Sequence, residues 1–251
     1  MRNFDEQKWG ISVSAVIAVL DVIGCAAMLV TLAVVHPPLE QPPVDKAVSL
    51  RGVFQGISTA RKTSGIPTLL MCVAVVAGAV IPAVVLGIPL AARERGWTAG
   101  EAGLIEAGWI AGGILAGAWF AWRGTAVKAW RPMAIGPLVI TVGLGLLAVA
   151  SHWIAAAMST TLIGVGVVIF TAHLFPTYVS LAPPSMMSRF QSLLILAQQA
   201  PQLVINPLIG IAVTVFGTAP MIGASGILAL FASLAIIRDK TLRALPETPA
   251  G

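Results

Sequence analysis

The sequence is poor in charge and has very little cysteine. Of its 251 residues only 10% are Asp, Glu, Lys or Arg, whereas a soluble domain carries about 25%. So few charges cannot cover a water-exposed surface, which excludes an ordinary soluble domain. The two cysteines, Cys25 and Cys72, lie inside apolar runs, so there is neither a disulfide framework nor a zinc-ligand spacing.

Motifs for covalent or nucleotide chemistry are missing as well. The sequence has no Walker A loop, metal-ligand cluster or dinucleotide fingerprint, so it predicts no metal, no cofactor and no ATP-driven pump. Gly-Ala-Ser-Gly at 223–226 matches the nucleophile motif of rhomboid intramembrane proteases, but no histidine follows Ser225 to act as a base. The motif is therefore interpreted as a packing face, and the protein is not expected to be an enzyme.

Long apolar runs are what the sequence has in abundance. Hydrophobic residues make up 57% of the chain, and the mean hydropathy is +0.92. A transmembrane helix needs about 20 mostly apolar residues. The sequence therefore predicts an all-α polytopic membrane bundle of about seven transmembrane helices, one followed by six. The candidate spans are Ile11–Val35, Ile66–Leu90, Ala102–Trp122, Met133–Ala150, Trp153–Phe175, Phe190–Phe216 and Ala219–Ile237.

The longest loop, 36–65, begins with a proline-rich stretch and then changes character. Leu50, Val53, Phe54 and Ile57 recur at i, i+3, i+4 and i+7, which predicts an amphipathic helix on the membrane surface. The chain is expected to consist of an outer N-terminus with the first helix (1–35), this cytoplasmic linker (36–65), a six-helix transmembrane bundle (66–237) and a cytoplasmic tail (238–251).

Basic residues predict the orientation. With the N-terminus outside, eleven Lys and Arg residues fall on the cytoplasmic side and four fall outside, as the positive-inside rule requires. The odd number of spans then places the C-terminus in the cytoplasm, in a multi-pass protein of the plasma or inner membrane. The inside set is Lys46, Arg51, Arg61, Lys62, Arg123, Lys128, Arg131, Arg189, Arg238, Lys240 and Arg243; the outside set is Arg2, Lys8, Arg93 and Arg95.

Three stretches resemble the major facilitator superfamily of transporters. Ala92–Gly117 (ARERGWTAGEAGLIEAGWIAGGILAG) is similar to the family's seventh-to-eighth-helix region. Trp122–Pro132 (WRGTAVKAWRP) is similar to the basic loop after helix eight. Ala182–Gly210 (APPSMMSRFQSLLILAQQAPQLVINPLIG) is similar to the start of helix eleven in efflux-type members. The arrangement resembles the C-terminal half of the family preceded by one helix, with the first five helices absent.

The resemblance implies secondary active transport, namely efflux of a small amphipathic or cationic molecule with H⁺ as the driving ion. The alternative is a non-transporting protein: a truncated remnant, or a half-unit that assembles with a second half-transporter chain or with its own copy. The expected partners are the lipid bilayer and a small-molecule substrate. Nucleic acid is not expected, since no basic stripe carries interleaved aromatic residues.

Two carboxylates in apolar runs are the candidate ion-coupling residues. Asp21 lies in the middle of the first span, where a charge is costly unless it faces protein or water. It is interpreted either as a proton- or cation-binding group or as a polar partner for helices that are absent. Glu106 lies in the third span near Trp109. This pair either lines an outward cavity for a cationic or aromatic substrate, or consists of an interfacial carboxylate and a packed indole.

Four amide side chains in the sixth span are the main candidate substrate-binding residues, together with Glu106 and Trp109. Prolines among the amides free backbone carbonyls and are expected to kink the helix. Kinked helices at the middle of the bilayer mark substrate sites in transporters. The alternative is that the amides bond neighbouring helices. The amides are Gln198, Gln199, Gln202 and Asn206, and the prolines are Pro201 and Pro207.

Glycines in the third span predict a close helix contact. Gly108 and Gly112 form one pair of small residues four positions apart, and Gly113 and Gly117 form another. Such pairs let the backbone of a neighbouring helix approach closely. Both pairs are expected to pack against another helix of the bundle.

Overall fold

Six long helices dominate the computed structural model, which describes residues 57–124 and 128–244 and eight positions between Val19 and Thr31. The eight positions are helical and belong to a separate unit from the long helices, which all lie within Ser49–Gly251. The long helices and one short one are α1 (Ile66–Arg95), α2 (Ala99–Arg123), α3 (Trp130–Val149), α4 (Trp153–Leu181), α5 (Met187–Phe216), α6 (Thr218–Arg238) and α7 (Lys240–Arg243).

The helices α1 to α6 are long and apolar enough to cross a membrane, judged by length and composition. Every regular element among the described residues is a helix. The prediction of an all-α polytopic bundle is therefore confirmed. Most of the predicted first span, including Asp21, and most of the amphipathic linker helix lie outside the described residues.

The observed helices extend past the predicted spans. For example, α1 runs to Arg95 rather than Leu90, and α4 runs to Leu181 rather than Phe175. Hydropathy detects only the apolar part of a helix. The helix itself continues into polar residues until its backbone is capped. In α1 the stop is Gly96, whose φ of +70° is the left-handed conformation that closes a helix C-terminus.

The six helices pack side by side in an order that differs from their order in the chain. The helix α4 packs between α2 and α3. The helix α3 also contacts α6, α6 contacts α1, and α1 contacts α5. The helices α2 and α5 therefore stand at the two ends of this series and are the least buried of the six. Their outward faces are the ones left for lipid, solvent or a partner.

The contact between α2 and α4 depends on glycine. A Cβ on Gly112 would lie 2.0 Å from the carbonyl oxygen of Thr161, and one on Gly108 would lie 2.6 Å from that of Ala157. The predicted role of this first pair is thus confirmed. In the second pair, a Cβ on Gly113 would lie 3.6 Å from Cγ2 of Val168 of α4, whereas nothing lies within 4 Å of a Cβ on Gly117. The prediction therefore holds for Gly113 and is wrong for Gly117.

A π-helical turn, Val76–Val80, interrupts α1, and α5 packs against this turn. Pro82 supplies no N–H for the carbonyl of Gly78, so one α-helical hydrogen bond is missing at this turn. A Cβ on Gly78 would lie 2.6 Å from Cβ of Pro201, which brings the middle of α5 directly against this turn. Such π turns occur often at functional sites.

Polar side chains join the helix ends on both sides of the bundle. At the end of α1, Glu94 accepts hydrogen bonds from the backbone N–H (3.1 Å) and the hydroxyl (2.5 Å) of Thr218, where α6 begins. At the opposite end, Asp239 accepts a hydrogen bond of 2.5 Å from the Thr68 hydroxyl. Partial burial works to raise the pKa of Asp239, but hydrogen bonds from Thr68 and from the start of α7 outweigh it and lower that pKa.

Candidate functional site

Polar side chains line one side of α5 along much of its length. At about 100° per residue, they fall within one sector of about 120°, which we call the polar flank. The flank includes all four predicted amides and three residues that the sequence interpretation missed. Its members are Ser188, Gln191, Ser192, Gln198, Gln199, Gln202 and Asn206.

The four predicted amides of the polar flank lie halfway along α5 and are not deeply buried. Gln199 and Asn206 are exposed, and Gln198 and Gln202 are half-buried. Gln202 donates a hydrogen bond of 3.0 Å from Nε2 to the backbone carbonyl of Gln198, one turn earlier in the same helix. No described residue of another helix is hydrogen-bonded to these side chains. The amides therefore present polar atoms to the space beside α5.

The other two sides of α5 have different roles. Phe190 and Leu194 are buried on the side that also carries Pro201, which packs on Gly78 of α1, whereas Ile209 is buried at the angular position of the polar flank, beyond its last amide. The third side is apolar and exposed, as expected for a surface against lipid. Its residues are Leu196, Leu203, Val204, Leu208, Ile211 and Val215, each more than half exposed. The helix α5 thus has a packed side, a lipid-like side and a polar flank.

The prolines of α5 do not interrupt the helix. Pro201 and Pro207 both lie inside the continuous helix Met187–Phe216. Each proline lacks the N–H that would bond the carbonyl four residues earlier, so the carbonyls of Ala197 and Leu203 lose those donors. The freed carbonyls beside the amides and the kink that the sequence analysis expected here stay predictions.

Glu106 is exposed on α2 and lies about two turns from the start of that helix, since α2 begins at Ala99. Its carboxylate makes no hydrogen bond or ion pair with any described residue. Gly103 and Gly117 lie on the same side of α2, and a Cβ on either would meet nothing within 4 Å. The two glycines present no side chain on this side of α2 and have empty space beside them, so the Glu106 carboxylate is accessible.

Trp109 is half-buried and packs towards α4. A Cβ on Gly164 of α4 would lie 2.9 Å from Cδ1 of the Trp109 ring. This placement favours the packing interpretation of Trp109 over direct contact with a substrate. Asp21, the other candidate ion-coupling residue, lies outside the described residues, and its role stays a prediction.

A buried histidine lies beside the same interface. The ring of His173 on α4 meets Phe120 of α2 edge to face, with centroids 5.0 Å apart. Its Nδ1 is 2.9 Å from the carbonyl oxygen of Ile169, within hydrogen-bond distance. His173 is 2% exposed, so it helps to pack α2 on α4 and does not line the polar flank.

Metal binding is not indicated in the described part of the chain. No cluster of three or more His, Cys, Asp or Glu side chains that could hold a metal ion occurs among those residues.

Glu101, which the sequence places near Glu106, has a structural role, because it forms a capping box with Thr98 at the start of α2.

Comparison with known proteins supports the fold. No protein-family model and no curated protein matches the chain. The crystal structure of a peptide transporter (POT) mutant in complex with sulfate matches it with a TM-score of 0.63 at 15% sequence identity. The match covers 78% of this chain and 43% of the transporter chain, so this chain spans less than half of that transporter's length. The chain therefore shares the fold of part of that transporter.

Proposed function

We propose that the chain is a unit of a secondary active transporter and that the polar flank of α5 contacts the substrate. The observation that carries the proposal is the part of the polar flank formed by Gln198, Gln199, Gln202 and Asn206, which lies halfway along a helix of spanning length. An unsatisfied polar group in hydrocarbon costs several kcal/mol, so amides at this depth that are not hydrogen-bonded to any described residue of another helix require water, substrate or other protein beside them. A fold shared with a transporter supports the same conclusion.

The proposed mechanism involves no covalent step. The amides would hold a small molecule by hydrogen bonds while the bundle alternates access between the two sides of the membrane. Small cationic or amphipathic molecules fit best, since Glu106 is an accessible carboxylate on the outward face of α2. In this proposal the protein lies in the plasma or inner membrane, works in the direction of efflux, and uses Glu106, with Asp21 of the first span, to bind H⁺.

A second function is assembly of this unit with another bundle. It is favoured by the low burial of α2 and α5, the two terminal helices of the packing series. The share of the matched transporter that the chain covers, 43%, is consistent with one bundle of two. In this proposal the partner is a second half-transporter chain or a second copy, and the polar flank faces the interface between the bundles.

Transport through proteoliposomes tests the first function. We would reconstitute the purified chain into vesicles with an acidic interior and follow the uptake of ethidium, an aromatic cation. The expected result is uptake that depends on the pH gradient. Gln202→Ala should slow uptake by about 2- to 10-fold, because one hydrogen bond of about 0.5–1.5 kcal/mol is lost. Leu203→Ala, on the lipid-like side of α5, is the matched control and should leave uptake unchanged.

Two results would count against this function. If Gln202→Ala lowers the thermal stability and leaves uptake per molecule unchanged, the amides only support the helix packing. If the folded chain gives no uptake above protein-free vesicles, transport by this chain alone is contradicted. Chemical cross-linking of the chain in native membranes would then test the assembly function.

Glu106→Gln, measured in the proteoliposomes with an acidic interior, should remove the dependence of ethidium uptake on the pH gradient.

A further inference from the structure

The two ends of the bundle differ sharply in charge. Among the described residues, the end that holds the starts of α1, α3 and α5 carries nine basic residues and one acidic residue, Asp239. The opposite end carries two basic and two acidic residues, at Arg93, Glu94, Arg95 and Glu101. We call the first the basic end. Its basic residues are Arg61, Lys62, Arg123, Lys128, Arg131, Arg189, Arg238, Lys240 and Arg243.

Tryptophan rings hold one arginine at the end of α2. The guanidinium carbon of Arg123 lies 5.1 Å from the ring centroid of Trp119 and 5.6 Å from that of Trp122. The two rings meet edge to face with centroids 6.0 Å apart. Their exposed fractions are 52% for Trp119 and 78% for Trp122. This is a cation–π arrangement on the outer surface of the bundle.

A second cluster joins α3 to α7. Trp130 lies at the start of α3, and the guanidinium carbons of Arg131 and Arg243 are each 5.6 Å from its ring centroid. Arg243 reaches this ring from the short helix α7, which Asp239 holds in place by accepting hydrogen bonds from the N–H groups of Thr241 and Leu242. Two guanidinium groups therefore share one indole although they are far apart in the sequence.

The charges of these three arginines are not neutralised within the described part of the chain. Arg123, Arg131 and Arg243 make no side-chain hydrogen bond or ion pair with any described residue. Asp239 accepts hydrogen bonds from Thr68, Thr241 and Leu242, so both of its oxygens already have donors. The indole rings hold the guanidinium groups at 5.1–5.6 Å and leave their N–H groups available to an anion.

We propose that the basic end binds the phosphate groups of anionic phospholipids at two places, through Arg123 beside Trp119 and Trp122 and through Arg131 and Arg243 beside Trp130. A guanidinium group offers N–H donors in a fixed fork that matches a phosphate. Tryptophan concentrates at the level of the lipid headgroups, and pockets of basic residues on the cytoplasmic side of membrane proteins bind anionic headgroups. The exposed rings of Trp119 and Trp122 favour a lipid over free phosphate, since they offer apolar surface to acyl chains. This inference does not depend on transport.

Thermal unfolding in the presence of lipids tests the proposal. We would titrate the full-length chain in detergent with phosphatidylglycerol, phosphatidylcholine or inorganic phosphate and measure the midpoint temperature by circular dichroism. The expected result is a rise of several degrees with phosphatidylglycerol and no rise with the other two. Inorganic phosphate that reproduces the rise would overturn the assignment to a lipid.

Two sets of variants separate a site from diffuse attraction. The triple change Arg123→Gln, Arg131→Gln and Arg243→Gln should abolish the rise. A control of equal charge removes three basic residues that touch no ring, by Arg61→Gln, Lys62→Gln and Arg238→Gln, and should keep it. Equal losses in the two variants would overturn the proposal, since the basic end would then act only through its summed charge.

A charge-conserving variant gives an independent measurement if the glutamine variants fold poorly. Arg123→Lys, Arg131→Lys and Arg243→Lys keep the charge and remove the planar fork. The phosphatidylglycerol concentration at half-maximal effect should then increase several-fold. An unchanged half-maximal concentration would overturn the role given to the arginine geometry.

Discussion

At the scale of single residues, consecutive side chains at the end of α1 cap two different helices. Glu94 accepts a hydrogen bond from the first N–H group of α6, and Arg95 donates to the last carbonyl groups of α3. The helix dipole makes an N-terminus partly positive and a C-terminus partly negative, so each charge meets the end of opposite sign. These two residues join α1, α3 and α6 where the bundle leaves the membrane.

The residue-scale prediction concerns Arg95, which donates to the carbonyl oxygens of Leu147 (3.1 Å), Ala148 (2.7 Å) and Ala150 (2.7 Å). Arg95→Gln should lower the free energy of unfolding by about 1–3 kcal/mol, because buried acceptors lose a charged donor. Thermal unfolding in detergent, followed by circular dichroism, measures the change.

The neighbouring Arg93 provides the control for this prediction. Arg93 is exposed and makes no hydrogen bond with any described residue, so Arg93→Gln should leave the midpoint unchanged. Equal destabilisation by the two substitutions would mean that net charge at this end matters and that the capping contacts do not.

At the scale of elements, glycine decides which side of α2 packs. The carbonyl of Thr161 belongs to the backbone of α4 and cannot move without moving that helix, so a methyl group at Gly112 has no room. Gly112→Ala should separate α2 from α4 and cost about 1–3 kcal/mol of stability, as overpacking of a tight core does. Gly117→Ala, the same change on an open side of the same helix, should have little effect or stabilise α2 slightly.

The measurement for both glycine variants is the thermal midpoint in detergent. Cross-linking between cysteines placed at Ile105 and Thr160, where the Thr160 hydroxyl bonds the Ile105 carbonyl at 2.6 Å, would report the separation directly. A Gly112→Ala variant as stable as Gly117→Ala would contradict the close approach of the two helices.

At the scale of the whole molecule, the asymmetry of charge predicts the orientation. The basic end should face the cytoplasm, with the turn between α3 and α4 outside. Ser151 and Ser185 are both exposed and lie at opposite ends of the bundle. In a variant without Cys25 and Cys72, a cysteine at position 151 should react with a membrane-impermeant reagent on intact cells. A cysteine at position 185 should react only after permeabilisation; the reverse pattern would contradict the predicted orientation.

The sequence by itself determined the class of the fold and the six described spans. Each spanning segment of about 20 residues must be apolar enough by itself to lie in lipid. An apolar run such as Trp153–Phe175 can therefore be recognised as a span without knowledge of its neighbours. The same local logic identified the amides of α5 as one helical face, because their spacing alone fixes their angular positions.

The tertiary structure decided which neighbours each face meets. Arg95 bonds carbonyls about fifty positions later in the chain, and Trp109 packs against Gly164 rather than facing an open cavity. The π turn in α1 that receives Pro201 and the empty space beside Gly117 were equally beyond sequence reasoning. Such contacts depend on the packing order of the helices, which differs from their order in the chain, and no local pattern of hydropathy or spacing contains that order.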